Sequence, residues 1–173
     1  MRKRHNNRGI TVLELTIVTV VIAVIASLAI PQFDKVMERL KLKTAGRDVL
    51  SSLRLARSAA VSQKEQFGVY FDYYQNEYVF FHDLANQSSF TYDYGSDSVI
   101  LTGTLPKKVH LGYDTFPNSA VVFRPNGSAA NSGHVLLYSY SYGDEYLGLM
   151  AVDVLASTGR VKLLSDDYYF EED

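Results

Sequence analysis

The sequence predicts an α+β fold, with a long N-terminal helix followed by an antiparallel β domain of two small sheets. Three observations predict it. Residues 10–30 are almost wholly apolar, residues 32–62 repeat apolar positions at steps of three and four, and beyond Lys64 the period falls to two. The 173 residues, 47% apolar and 21% charged, suit one domain with an appendage and exclude wholesale disorder. The absence of Cys excludes a disulfide scaffold and any Cys-ligated zinc or iron–sulfur site. A mean hydropathy near zero excludes a polytopic membrane protein.

Four segments follow in order: 1–9, 10–31, 32–64 and 65–173. The first holds four cations (Arg2, Lys3, Arg4, Arg8) and no acid. The next contains a 21-residue apolar run, Ile10 to Ile30, with one ionisable group, Glu14. At about 1.5 Å per helical residue it matches the roughly 30 Å bilayer core. In lipid the backbone must bond internally, so helix is expected despite the many Ile, Val and Thr. The basic flank places the N-terminus in the cytoplasm and the remainder outside. A secretory signal peptide would be shorter, with its small-residue cleavage site after the apolar run, whereas Gly9 lies before it. A plain anchor explains the length but not Glu14, a carboxylate costing about 2.5–3.5 kcal/mol near a helix centre and less near an end.

Gly9 followed by Ile10-Thr11-Val12-Leu13-Glu14 resembles the prepilin signal of type IV pilins and type II secretion pseudopilins. Basic leader, Gly, apolar run and Glu at the fifth position after Gly all match; Ile10 departs, where Phe or Met is commoner. Ala29-Ile30-Pro31-Gln32-Phe33 is similar to the pilin segment where the membrane helix loosens. The resemblance implies that a prepilin peptidase cuts between Gly9 and Ile10 and N-methylates Ile10. It also implies that Glu14 meets an N-terminal ammonium in a filament, a pairing that would fix the stagger between subunits. Pro31, lacking an N–H, is expected to kink or locally melt the helix near 26–30 rather than end it.

From Gln32 the pattern is amphipathic. Phe33, Val36, Met37, Leu40, Val49, Leu50, Leu53, Ala56 and Ala60 form the expected packing face, interrupted by a weak turn at Thr44–Gly46, with Gly46 a candidate bend. Lys35, Glu38, Lys41, Lys43, Asp48, Arg54 and Arg57 form the polar face. The helix is expected to end near Ser62. Strands are expected at 66–72, 78–82, 98–105, 109–113, 120–124, 135–141, 147–156 and 160–164, divided by turns such as Pro125-Asn126-Gly127-Ser128 and Ser157-Thr158-Gly159.

A second resemblance, to the GspH/FimT family of minor pseudopilins and minor pilins, rests on three segments. Leu53-Arg54-Leu55-Ala56-Arg57-Ser58-Ala59-Ala60 resembles the family's L-R-x-A-R-S-x-A helix end. Phe123-Arg124-Pro125-Asn126-Gly127 resembles its F-x-P-x-G hairpin, and Thr158-Gly159-Arg160-Val161 its terminal hairpin. The implied fold is type IV pilin-like. The implied role is a minor pseudopilin of a type II secretion system, or alternatively a minor type IV pilin in pilus assembly, adhesion, motility or DNA uptake. The implied partners are other pilin or pseudopilin subunits, the prepilin peptidase, and an inner-membrane platform with its ATPase. Major pilins usually carry a disulfide-closed loop, so the missing Cys favours a minor subunit.

No catalytic set emerges. His5, His82, His110 and His134 lack metal-ligand spacing, and there is no phosphate loop or G-x-S-x-G. No enzyme activity and no cofactor are expected. Calcium at Asp144-Glu145 or Asp166-Asp167 is the lesser alternative to a solvated acidic surface. Arg160 and Lys162 are candidate DNA contacts, but five acids among residues 166–173 oppose phosphate, so nucleic-acid binding is not expected. Net charge divides accordingly: 8 cations and 4 acids give +4 over residues 10–64, and 5 cations and 15 acids give −10 over 65–173.

Overall fold

The computed structural model describes residues 10–140 and 146–165, with the backbone alone at Leu28, Ala29 and Pro31. Gly9 with its leader, Asp144-Glu145 and the acidic residues 166–173 lie outside the described residues. The chain divides into two units, residues 1–36 and 37–173. Helix α1, Val12–Gln63, contributes to both.

In the first unit Thr11 precedes the helix and its Oγ1 accepts from the Glu14 N–H at 3.2 Å, while its carbonyl takes the first helical bond from Leu15. The hydroxyls of the apolar run turn back onto their own helix: Thr16 donates to Val12 O at 2.8 Å, Thr19 to Thr16 O at 2.9 Å and Ser27 to Val24 O at 2.7 Å. The run therefore presents hydrocarbon outward, with Val12 83% and Leu13 70% exposed. Among the described residues α1 is the one helix long and apolar enough to cross a membrane. The backbone stays helical through Pro31, so of the kink or local melting expected at 26–30 the melting does not occur. One missing donor removes one bond and leaves its neighbours' bonds in place.

The second unit sets the C-terminal half of α1 against two antiparallel sheets. The first has the order β3-β2-β1-β5 and the second β4-β6-β7-β8. The strands are β1 Phe67–Asp72, β2 Glu77–His82, β3 Ser98–Thr104, β4 Val109–Asp114, β5 Ala120–Phe123, β6 Gly133–Tyr140, β7 Tyr146–Leu155 and β8 Arg160–Ser165. All eight expected strands form, most within a residue of their expected ends. The buried stripe of α1 is Leu42, Ala45, Val49, Leu53, Ala56 and Ala60, none more than 4% exposed. Small residues at these steps let the helix lie close to Phe67, Val69 and Phe71 of β1 and to Val152 and Val154 of β7, with which they form one core.

Three expectations about this helix need correction. Phe33, Val36 and Leu40 are more than half exposed, and the packing face begins instead at Leu42. The Thr44–Gly46 interruption is where the sheet comes closest: a Cβ on Gly46 would stand 3.1 Å from Leu163 Cδ1 and 3.3 Å from Met150 Sδ. Gly46 is thus a close-approach residue, which a period count registers as a gap. Glu38, assigned to the polar face, is buried. Its Oε1 lies 3.0 Å from Lys41 Nζ and 3.5 Å from Lys108 Nζ, the long reach from the loop before β4 being invisible to helical periodicity.

The segment between β2 and β3 covers the outer face of the first sheet. Tyr92 stacks on Tyr70 at 5.1 Å and tilts against Phe81 at 4.9 Å. Asp97 holds this segment, accepting from the N–H groups of Leu84, Ala85 and Asp93. Beside it Asp83 is fully buried, and its Oδ1 has no hydrogen-bond partner. Its Oδ2 accepts from the Gln66 amide at 3.1 Å, with that amide turned nitrogen inward. Burial pushes the Asp83 carboxyl up to about 6, helped by the negative charges of Asp97 and Asp93 and opposed by His82.

The folded state therefore binds this proton more tightly than the unfolded chain. The stability it contributes is present below about pH 4 and is lost as pH rises through about 6. Asp83→Asn removes the charged form. The variant is expected to be more stable than the parent by about 1–2 kcal/mol near pH 7.5, with the gap closing near pH 4. Thermal unfolding of both proteins at the two pH values checks this, and a gap that stays constant with pH refutes it.

Candidate assembly site

Two regions hold the residues singled out by the sequence. The first is the start of α1. Val12, Leu13 and Glu14 are its first three helical residues, so Glu14 occupies the position where a carboxylate faces unpaired N–H groups and the positive end of the helix dipole. With Thr11 as cap, Thr11-Val12-Leu13-Glu14 has the spacing of a capping box, and the Thr half of it is formed. This local role for the Glu14 segment was readable in the sequence. Glu14 is exposed and has no ion-pair partner among the described residues. Ile10, the expected new N-terminus, lies just ahead of the cap and is 76% exposed.

The second region is built by the three motif segments, which converge. Arg57, about 1.7 turns before the end of α1 by the ~3.6-residue repeat, donates through Nε to Gly127 O at 3.0 Å and through Nη2 to Thr158 O at 2.9 Å. Gly127 lies in the turn after β5 and Thr158 in the turn joining β7 to β8, so one guanidinium ties the helix to both sheets. The two turns also meet directly. Ala129 N donates to Ala156 O at 2.9 Å, and Ala156 N donates to Ser132 Oγ at 2.8 Å. Gly159 has φ +61°, and a Cβ there would fall 2.0 Å from Gly127 O. Only glycine satisfies both the backbone angle and that approach.

Arg160, one residue on, stands on the same exposed face of β8 as Lys162, the other candidate DNA contact. It shares a groove of about 820 Å³ with Arg54, Arg57, Ser58, Val61, Ser62 and Thr158, and Lys162 does not line it. On β7, Lys162 pairs with Asp153 and Arg160 with Leu155. The sequence singled out Arg160 but had no means of placing Arg54 beside it, some hundred residues away in the chain. His82, His110 and His134 are strand residues. His82 stacks on Phe67 at 4.3 Å and its Nε2 lies 2.7 Å from Glu65 Oε2 without the alignment of a hydrogen bond, and His110 stacks on Tyr138 at 5.5 Å. Among the described residues no three His, Asp or Glu side chains are grouped to hold a metal ion.

This convergence coincides with a family match. The model of the type II transport protein GspH matches residues 45–155, which include Arg57, Gly127 and the strands of both sheets up to the end of β7. The chain belongs to the GspH family. Its fold is similar to that of the minor pseudopilin EpsH from the type 2 secretion system of Vibrio cholerae. The TM-score is 0.56 at 16% identity, over 72% of this chain and 97% of that one. It is equally similar to the type IV minor pilin FimU of Pseudomonas aeruginosa, with TM-score 0.57 and 18% identity over 75% of this chain and 92% of the other. No curated protein matches at the sequence level. Within the GspH family fold, the three motif segments of this chain thus serve packing, because they lock the end of the helix onto both sheets.

Gly159→Ala is expected to destabilise the domain by more than about 2 kcal/mol, since the turn must open to admit the methyl group. Arg57→Ala, which loses two charge-assisted bonds, is expected to cost about 2–4 kcal/mol. Urea unfolding of the detergent-solubilised chain, followed by circular dichroism, measures both. A change under about 0.5 kcal/mol in either would show that the three segments are not locked together as described.

Proposed function

We propose that this protein is a minor pseudopilin of a type II secretion system, processed by a prepilin peptidase and assembled into a periplasmic pseudopilus through its N-terminal helix. The observation that carries this reading is the joining of a GspH-family β domain to an exposed apolar helix bearing a single carboxylate in its first turn. A runner-up, a minor type IV pilin, is favoured by the similarity to FimU. A neighbouring secretin with a full secretion gene set, against pilus genes with a retraction ATPase, separates the two.

The mechanism is assembly. Before use, the helix beginning at Val12 sits in the cytoplasmic membrane, its hydroxyls satisfied within the helix and its basic leader held on the cytoplasmic side. Cleavage between Gly9 and Ile10 removes four cations and exposes a new amine, which is N-methylated. An ammonium at a helix N-terminus opposes the dipole, and Glu14 within the same turn offsets it. In a filament the carboxylate of one subunit and the ammonium of another share an apolar surrounding, where an unpaired charge is costly and a matched pair fixes axial register. Pro31 removes one backbone bond between the membrane part of α1 and the part that packs on the sheets. The platform protein and its ATPase would supply the work of extraction.

Mass spectrometry of the protein recovered from producing cells is expected to show a chain that starts at Ile10 and carries one methyl group. An intact Met1, or a cut elsewhere, refutes processing at this signal. Glu14→Ala is expected to be cleaved normally but to be lost from sheared or cross-linked filaments by at least about tenfold, equivalent to some 1.4 kcal/mol. Incorporation at the parental level would remove Glu14 from the assembly mechanism.

A further inference from the structure

The groove beside the Arg57 clasp has a charge that the fold leaves unmet. Residues 49–64, 115–143 and 154–165 contain no Asp or Glu, although residues 65–173 as a whole hold 15 acids. These are the three segments that meet at the clasp. Arg54, Arg57 and Arg160 line the groove together, all three are exposed, and no carboxylate pairs with any of them among the described residues. The bonds that Arg57 makes to Gly127 O and Thr158 O hold the guanidinium in place but do not neutralise it. It keeps three of its five N–H donors for another ligand. Ser58, Ser62 and Thr158 add hydroxyl-bearing residues to the lining, and Val61 and Val161 apolar ones.

Rigid arginine forks held at spaced points match planar carboxylates, which they bind in bidentate fashion. We infer that this groove binds a short carboxylate-bearing peptide segment of a neighbouring filament subunit, with Arg54 and Arg160 as the contact residues and Arg57 as the fixed cation between them. This rests on the assembly reading above. The chemistry alone would also admit phosphate, but the surroundings discriminate. A nucleic-acid strand runs beyond any groove of this size and would meet the acids of a domain that carries −10 as a whole over residues 65–173. A two- or three-carboxylate segment ends within the groove. The partial negative charge at the C-terminus of α1 acts only over its last turn and offsets little of the three guanidinium charges.

The test uses the full-length chain in neutral detergent and a fluorescein-labelled octapeptide of alternating glutamate and glycine, read by fluorescence anisotropy. Binding is expected, weakening as salt rises. It should fall at least about tenfold in Arg54→Gln/Arg160→Gln, a double variant that leaves the Arg57 clasp intact. The matching lysine–glycine octapeptide should not bind. Absence of binding, or binding that the double variant keeps, overturns the inference. So does a single-stranded oligonucleotide of equal charge that binds more tightly than the peptide and is lost with the same substitutions. A chain ending at Ser165 that binds the peptide tenfold more tightly than the full chain also overturns it, because the acidic residues 166–173 would then be the occupant. Filament incorporation of the double variant is scored separately. Processing and incorporation by the parent with no peptide binding sinks the groove and spares the assembly reading, whereas failure of the parent to be processed sinks the reading on which the groove's partner rests.

Discussion

The Arg57 guanidinium, fixed by one carbonyl from each of two turns, is the constraint on which the domain's geometry depends. Gly127 belongs to the turn leaving the first sheet and Thr158 to the last turn of the second. A helix lying on two separate sheets by apolar contact alone could slide along its axis, because alanines and leucines at steps of three and four look alike after one turn. Two directional bonds from a single rigid fork remove that freedom. They also explain the composition nearby: Ala56 and Ala60, buried on the helix face, bring its backbone near enough for Arg57 to reach both carbonyls, and Gly159 allows the turns to meet. Substituting larger residues at any of these points acts on the same contact.

The strands were legible because their alternation is strong and their turns contain Gly, Pro or Asn. Phe67, Val69 and Phe71 alternate with Gly68 and Tyr70 as a two-period run should, and all three face the core. The helix face was legible only in its second half. Phe33, Val36 and Leu40 repeat at helical steps as regularly as Val49, Leu53 and Ala56, yet they stay exposed, because periodicity reports that a face is apolar and not what covers it. Glu38 and Gly46 were misread for the complementary reason. Each is decided by a residue far along the chain, Lys108 for the first, Met150 and Leu163 for the second, and no local pattern encodes such a partner.

The candidate sites divide the same way. Glu14 stood out as a lone carboxylate in an apolar run, and that prominence concealed the simpler fact that Thr11 and Glu14 have capping-box spacing. The two accounts are compatible: the third helical position lies in the first turn, at the end of the helix where a new amine would appear. Arg54, Arg57 and Arg160 were each present in recognisable segments, but the sequence offered no distance between Arg54 and Arg160. Their common groove exists only where the fold brings these segments together.

The clasp and the groove are therefore one arrangement seen from two sides. Carbonyl oxygens can position a guanidinium without cancelling its charge, so a structural arginine tied in this manner leaves a positive potential at the surface. A carboxylate in place of either carbonyl would have locked the helix as firmly and ended the matter within the chain. Here the three contributing segments exclude every acid from a domain otherwise rich in them. The opposite imbalance holds at the start of α1, where Glu14 has no cation beside it among the described residues. Charges of opposite sign, left unmet at two places in one chain, are what a subunit needs if its neighbours are to be chosen by charge as well as by apolar area. Apolar area alone selects poorly between similar helices, whereas each mismatched charge in a desolvated contact carries a penalty of several kcal/mol.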